Sequence, residues 1–310
     1  MKADVLVCGA GPAGVTTALL NRTRRVVVLD PRPFAKPCGE LVMASEAASM
    51  RAEVTNRSSY VRVLTPYGSR EFRSETAMID KAGWLMRVLE LSGAVLVRER
   101  VRAPLLSKGR CVGAVAGGEY WAEEVYDCTG PSRALVSHYA RAPERDYALC
   151  YEETLDSRNL LDGPIAYYDT RLAPGGYSWV FPRGDGTAYV GLATWPWVRD
   201  LRSRASLVKK RLGLRDRAVL DRRGSRLYLG VRRGTLPPAL AALGEAGGSC
   251  DPYTGSGIFQ AVEDARSFHS GRRRRSGLLR KLSATILREL HPAYLQALES
   301  VPLPYVPYHP

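Results

Sequence analysis

Gly9-Ala10-Gly11-Pro12-Ala13-Gly14 has the G-x-G-x-x-G spacing, which holds the pyrophosphate of a dinucleotide. The first glycine permits a tight turn, the second lets backbone approach the phosphates, and the third lets helix and strand pack closely. Asp30 stands about 20 residues past the first glycine, where a carboxylate accepts both ribose hydroxyls of an adenosine. Two further stretches carry reactive or ligand-facing groups. Glu245 lies among small residues, followed by Gly255 and Gly257 and a helix predicted over 259–268, which offers a second helix N-terminus to a ligand. Tyr177, Trp179 and Phe181 alternate in a strand-like segment and so share one face; that row is either plain core or a flat wall against an extended apolar substrate. Cys38, in Pro37-Cys38-Gly39-Glu40, is either a buried inert thiol or a group beside the ligand.

The elements that must position these residues are readable from patterning. Val5–Cys8 and Val26–Leu29 stay apolar instead of alternating, as strands of a buried parallel sheet do. Pro31 to Leu41 is a proline-punctuated loop that leaves the second strand at the edge where ligands collect in such sheets. A helix is expected over 45–57 and a hairpin over 60–72 turning at Pro66-Tyr67-Gly68. An amphipathic helix follows over 78–91, on which Lys81 and Arg87 either reach phosphates or are solvated. A strand at 93–97, a hairpin of 110–115 with 119–126, and a small-residue turn after Asp127 complete the first region. From Tyr147 to about Trp197, aromatic segments between proline and glycine turns predict a mainly antiparallel sheet, and 201–217 predicts a basic helix. Beyond it, Arg272 to Arg275 precede Leu279, Leu282, Ile286, Leu287 and Leu290, the stripe of a basic amphipathic helix that packs on its own domain or on lipid.

The chain has 310 residues, 45% of them hydrophobic, enough for a sizeable core. A formal charge of +14 and a sequence pI of 9.7 suit an anionic partner: a phosphate-bearing ligand, an acidic membrane surface or nucleic acid. A generally solvated basic surface gives the same numbers. Nucleic acid is not expected, because the arginines lie on helices far in sequence from the aromatics that would stack on bases. Six cysteines without a C-x-x-C pair and four histidines give no pattern for zinc or iron–sulfur. No apolar run reaches the ~20 residues of a membrane span, and no signal-peptide pattern opens the chain. The expected location is therefore cytoplasmic, with peripheral contact to the inner face of the membrane as an option.

Taken together, the glycine turn, Pro37-Cys38-Gly39-Glu40, the turn from Asp127 to Gly130, the P-x-x-Y-x-W-x-F-P row at 174–182 and GEA…DPYTGSGI resemble the FAD-dependent geranylgeranyl reductases. The resemblance covers roughly residues 3–268. It implies an α/β + β architecture: a Rossmann-like FAD-binding domain of p-hydroxybenzoate hydroxylase type, an inserted antiparallel-sheet substrate domain and a short C-terminal helical segment. On that pattern 1–58, 78–145 and 226–270 form the FAD domain, 59–77 and 146–225 the substrate domain, and 271–310 a helix and proline-rich tail. FAD contacts are implied for Gly9, Gly11, Gly14, Asp30, Cys38, Gly39, Leu41, Lys81, Val101, Asp127, Glu245, Gly257 and Ile258. Cys38, Tyr177 and Trp179 take the catalytic positions, and Tyr177, Trp179 and Phe181 the substrate positions. The implied reaction saturates C=C bonds of a geranylgeranyl lipid with an anionic head group. Its electrons come from NAD(P)H or a reduced carrier, since only one dinucleotide motif is present. Three departures stand out: Glu245 where the family has Asp, Lys81 where it has Arg, which loses the planar fork, and a missing C-terminal helical region. The same fold hosts FAD-dependent monooxygenases and halogenases, which are the alternative reading, followed by a membrane-associated electron-transfer flavoprotein.

Overall fold

A computed structural model of the protein describes residues 1–158, 163–230 and 234–271. The expected C-terminal amphipathic helix and tail lie outside the described residues.

Two sheets organise the chain. In the first, Val95–Val97, Val26–Leu29, Lys2–Cys8 and Glu119–Asp127 run parallel in that spatial order. The C-terminal half of Glu119–Asp127 also pairs in parallel with Leu240–Ala242, while its start pairs antiparallel with Arg110–Val115. Ala103–Ser107, a strand without a sequence-level expectation, closes that edge. The unbroken apolar run near the N-terminus has a two-sided explanation. Val5 and Val7 pack under the helices Pro12–Leu20, Lys81–Ser92 and Ile258–His269, against residues such as Val15, Leu85 and Val262. Leu6 and Cys8 pack on the opposite side with Cys111, Ala114 and Leu135.

The second sheet has eight strands in the order Val219–Tyr228, Tyr147–Asp156, Thr187–Thr194, Ser178–Pro182, Ile165–Tyr167, Val54–Thr65, Gly68–Ile79 and Leu41–Met43. Every pairing is antiparallel except Ile165–Tyr167 with Val54–Thr65. One face, carrying Leu155, Val180 and Val190, is covered by the basic helix Leu201–Arg211 through Val208. Side chains alternate between faces along a strand, so the row Tyr177, Trp179 and Phe181 belongs to the other face, with Cys150, Tyr189 and Met78.

Several boundaries differ from the sequence reading. The helix expected over 45–57 is Ala44–Met50, because Arg51 takes a left-handed φ of 53° and ends it. The hairpin runs over 54–79, so Met78 belongs to its second strand, and the next helix begins at Lys81, where the Asp80 side chain caps the Gly83 N–H at 3.0 Å. The basic helix stops at Arg211 instead of 217. The strand Val219–Tyr228 carries the second sheet three residues past the expected boundary at 225.

Candidate functional site

The glycine turn is built as its spacing demands. Gly9 has φ 105° and lies so close to the neighbouring strand that a Cβ would meet the Cys128 carbonyl oxygen at 2.3 Å. At Gly14 a Cβ would meet the Gly9 carbonyl oxygen at 1.8 Å, whereas at Gly11 it would meet nothing within 4 Å. Two glycines are thus dictated by packing, and the third opens onto space. The helix Pro12–Leu20 starts at Gly11 and the helix Ile258–His269 at Gly257, neither with a side-chain cap, which leaves their first N–H groups free for an anion. Gly244, at φ 65°, fits between these helices: a Cβ would sit 2.7 Å from Cβ of Ala13 and 3.3 Å from Cβ of Ala261. The two ligand-facing turns of the sequence therefore converge.

Asp30 braces the cradle. Its Oδ2 accepts the Ala10 N–H and its Oδ1 the Arg32 N–H, both at 2.8 Å, leaving one acceptor position on each oxygen for a ribose diol. Asp127 is fully buried, and its carboxylate is consumed by the protein. Oδ1 accepts the Thr129 N–H and hydroxyl, and Oδ2 the N–H groups of Leu135 and Val136. It shapes the turn beside the glycines and has no side-chain capacity left for a ligand. Val101 is likewise buried behind the parallel sheet, while Leu41 packs at the aromatic face and Ile258 opens its helix. Glu245 pairs with Lys36 and accepts the Tyr228 N–H at 2.8 Å, so its longer side chain ties the proline-rich loop to the second turn. Lys36 is held above the usual lysine range: burial lowers it, but the charge and hydrogen bond of Glu245 outweigh burial. Lys81 is buried, donates to the Lys36 carbonyl at 2.6 Å and lies 3.6 Å from Glu40. Arg87 pairs with Glu53 at the exposed surface.

The loop around Cys38 meets the aromatic row directly. A Cβ on Gly39 would lie 2.9 Å from the Phe181 ring and 3.8 Å from Nε1 of Trp179. Cys38 itself is a half-buried free thiol. The rings form a ladder, with centroids 5.9 Å apart for Tyr177–Trp179 and 6.2 Å for Trp179–Phe181. Tyr177 donates its hydroxyl to the Thr254 carbonyl at 2.7 Å, which anchors the loop before the second bare helix. Burial pushes its phenol well above the ordinary tyrosine range, and the nearby Tyr168, Cys150, Cys250 and Cys38 add to this.

Behind the row runs a buried polar chain that sequence reasoning missed. Trp179 Nε1 donates to Glu152 Oε2 at 3.0 Å, and Arg223 reaches Glu152 Oε1 at 3.1 Å. The guanidinia of Arg223 and Arg183 lie 4.6 and 4.7 Å from the Tyr189 ring centroid, and the Tyr189 hydroxyl donates to Glu40 Oε2 at 3.2 Å. Burial raises the Glu152 carboxyl above the usual range and nearby Glu40 adds to that, while Arg223, the Trp179 hydrogen bond and Lys81 pull the other way. The available signal was Glu152-Glu153 inside an otherwise apolar strand, since paired buried carboxylates require partners. No cluster of side chains among the described residues could hold a metal ion, and no described helix is long and apolar enough to cross a membrane.

Fold and site together define a Rossmann-like core with a glycine cradle of the dinucleotide-binding type beside a mixed second sheet. The geranylgeranyl reductase catalytic domain profile matches residues 146–212, the segment that includes the aromatic row. A digeranylgeranylglycerophospholipid reductase of Methanocaldococcus jannaschii is 26% identical over 301 aligned positions, covering 84% of this chain and 74% of that protein. The Haloferax volcanii protein of the same name is 30% identical over 216 positions, covering 61% and 53%. Among solved structures, a geranylgeranyl bacteriochlorophyll reductase-like protein from Thermoplasma acidophilum superposes with a TM-score of 0.78 at 18% identity, covering 97% of this chain and 88% of that one. The myxobacterial chondrochloren halogenase, described as FAD-dependent, gives 0.67 at 16% identity, covering 96% and 82%. The chain is thus similar to the geranylgeranyl reductases, most directly over the segment 146–212.

Proposed function

We propose that the protein binds FAD in the glycine cradle and saturates C=C bonds of geranylgeranyl chains in isoprenoid lipids of archaeal type. The observation that carries this reading is the contact of Gly39 with Phe181 and Trp179, which sets a loop at the cofactor edge of one sheet against the aromatic wall of the other. The residues present fit the cofactor. The open space at Gly11 admits a pyrophosphate, the two uncapped helices offer N–H donors to it, and Asp30 keeps acceptor positions for the ribose. Reduced FAD supplies the hydride. On this reading the second sheet, which apart from Leu41–Met43 falls in 54–79 and 147–228, forms the substrate domain.

Saturating an alkene adds one hydride and one proton, and where proton addition runs ahead of hydride, cationic character develops on the carbon that then receives the hydride. The faces of Tyr177 and Trp179 stabilise such a centre as they would any cation. Glu152 keeps the Trp179 indole in place through its N–H. The Tyr177 hydroxyl is engaged with Thr254, and on this reading the half-buried Cys38 thiol, in the loop against the wall, carries the proton. Basic composition suits an anionic head group and peripheral contact with an acidic bilayer, and the electron donor is NAD(P)H or a reduced carrier. The likeness to a halogenase supports an oxygen-dependent monooxygenase or halogenase as the second reading. Anaerobic addition of digeranylgeranylglyceryl phospholipid to the dithionite-reduced protein separates the two. Return of the oxidised flavin spectrum without oxygen supports the reductase, and a spectrum that stays reduced until air is admitted supports the alternative.

A further inference from the structure

The aromatic row continues past Tyr177. Across the pair Ser178–Pro182 and Thr187–Thr194, Phe181 is opposite Tyr189 and Trp179 opposite Gly191. The Ala193 N–H donates to the Tyr177 carbonyl at 3.0 Å, and the Trp195 N–H to the Pro174 carbonyl at 2.9 Å, so the two segments stay side by side beyond the regular ladder. Two glycines make room for indoles on this face. A Cβ on Gly191 would lie 2.4 Å from the Trp179 ring, and one on Gly175 would lie 2.2 Å from the Trp195 ring. Trp197 stacks on Trp195 with centroids 5.1 Å apart and planes at 12°, and it is 56% exposed. Tyr168 stacks on Tyr177 at 5.3 Å. The regular strand is Ser178–Pro182, with Gly39 against its Phe181 end and the exposed Trp197 beyond its other end, past the turn at Gly175.

We propose that the Trp195–Trp197 stack is the outer end of a chain-binding stripe whose inner end is the Tyr177–Trp179–Phe181 wall, and that it selects for the length of the isoprenoid chain. The inference rests on the proposed reading of that wall. A flat indole pair whose outer ring lies in water is the kind of surface that gains from covering by apolar atoms. The planar trisubstituted carbons of an isoprenoid match it in shape. Exposed Arg199 and Arg202 follow Trp197 in the chain and suit the anionic head group of a long lipid whose distal end reaches the inner wall; a geranyl chain drawn to that wall leaves its head group short of the stack.

The test is equilibrium dialysis of the FAD-loaded protein against geranylgeranylglyceryl phosphate, and against its geranyl analogue, in dilute detergent. Trp197→Ala is expected to weaken the long-chain ligand about ten-fold and the short-chain one less than two-fold, with FAD affinity and melting temperature unchanged. Trp195→Phe, which keeps a ring over Gly175, is expected to fall between wild type and Trp197→Ala. Equal losses for both chain lengths, or no loss, overturn the proposal. So does unchanged detergent-phase binding with lost binding to anionic phospholipid vesicles, which would make the pair a bilayer contact. Because no turnover is measured, a chain-length effect with no reduction of the lipid would retain the stripe and reject the reductase reading.

Discussion

Replacing Gly11 by alanine separates the two roles that glycines play in the cradle. At Gly11 φ is −78° and ψ is −175°, ordinary extended backbone for any residue, and the new methyl would have no neighbour within 4 Å. The fold should therefore accept it, with a gain of about 0.4–1 kcal/mol from reduced freedom of the unfolded chain. The same methyl fills the space into which a pyrophosphate must come to meet the helix N-terminus. We expect FAD affinity to fall about 100-fold, roughly 3 kcal/mol. Gly14→Ala is the contrasting case: its methyl would lie 1.8 Å from the Gly9 carbonyl oxygen, so strand and helix must separate and stability itself falls. The assay pairs thermal melting of the flavin-free proteins with titration of FAD fluorescence quenching. If Gly11→Ala binds FAD within two-fold of wild type, or melts as early as Gly14→Ala, the assignment of the open space to phosphate is wrong.

Three further outcomes follow from particular contacts. Lys209 on the basic helix reaches buried Glu153 at 2.5 Å, so Lys209→Met should destabilise by about 2 kcal/mol in denaturant titration, below the range for a buried charge left unpaired because Arg222 stays 3.4 Å from the carboxylate. Burial works against ionisation of Glu153, but the hydrogen bonds from Lys209 and Tyr151 hold its carboxyl below the ordinary glutamate value of 4.5. That stabilisation is present above 4.5 and is lost as pH falls through the lower folded value, a loss that Glu153→Gln should not show. Glu152 has the opposite sign. Burial raises its folded pKa, so its ionisation costs stability, and Glu152→Gln should gain in melting temperature relative to wild type as pH rises from 5 to about 8. Tyr177→Phe removes the bond to the Thr254 carbonyl and should cost about 1 kcal/mol, with faster hydrogen exchange in the loop 250–257.

What was legible in the sequence was local. The strand, glycine turn and helix near the N-terminus announce themselves because each glycine answers a constraint set within a few residues, and Val5–Cys8 stays apolar because it is covered on both faces. The aromatic row was legible for the same reason, since period two alone places Tyr177, Trp179 and Phe181 together. Its contact with Gly39 was not, because that depends on how two sheets meet across some 140 residues of chain. Asp127 shows the limit from the other side. An acid at the end of a strand beside small residues looks like a ligand contact, yet four donors of its own turn absorb it. The chain from Lys81 through Glu40, Tyr189 and Arg223 to Glu152 joins five separate segments, and only tertiary packing brings them together. Glu40 even adopts a left-handed φ of 56°, unfavourable for a residue with a Cβ, to reach Lys81 and Tyr189.

The measurement that tests the central claim most directly is the mass of the lipid recovered from an anaerobic incubation of reduced protein with digeranylgeranylglyceryl phospholipid, run once in ordinary water and once in deuterated water. The account predicts a gain of two hydrogens for each bond saturated, both of them becoming deuterium in the deuterated medium because the hydrogen carried by the reduced flavin exchanges with solvent, with one FAD reoxidised per bond. An unchanged lipid under these conditions, and a product that carries one new oxygen or halogen atom once oxygen is supplied, would contradict it.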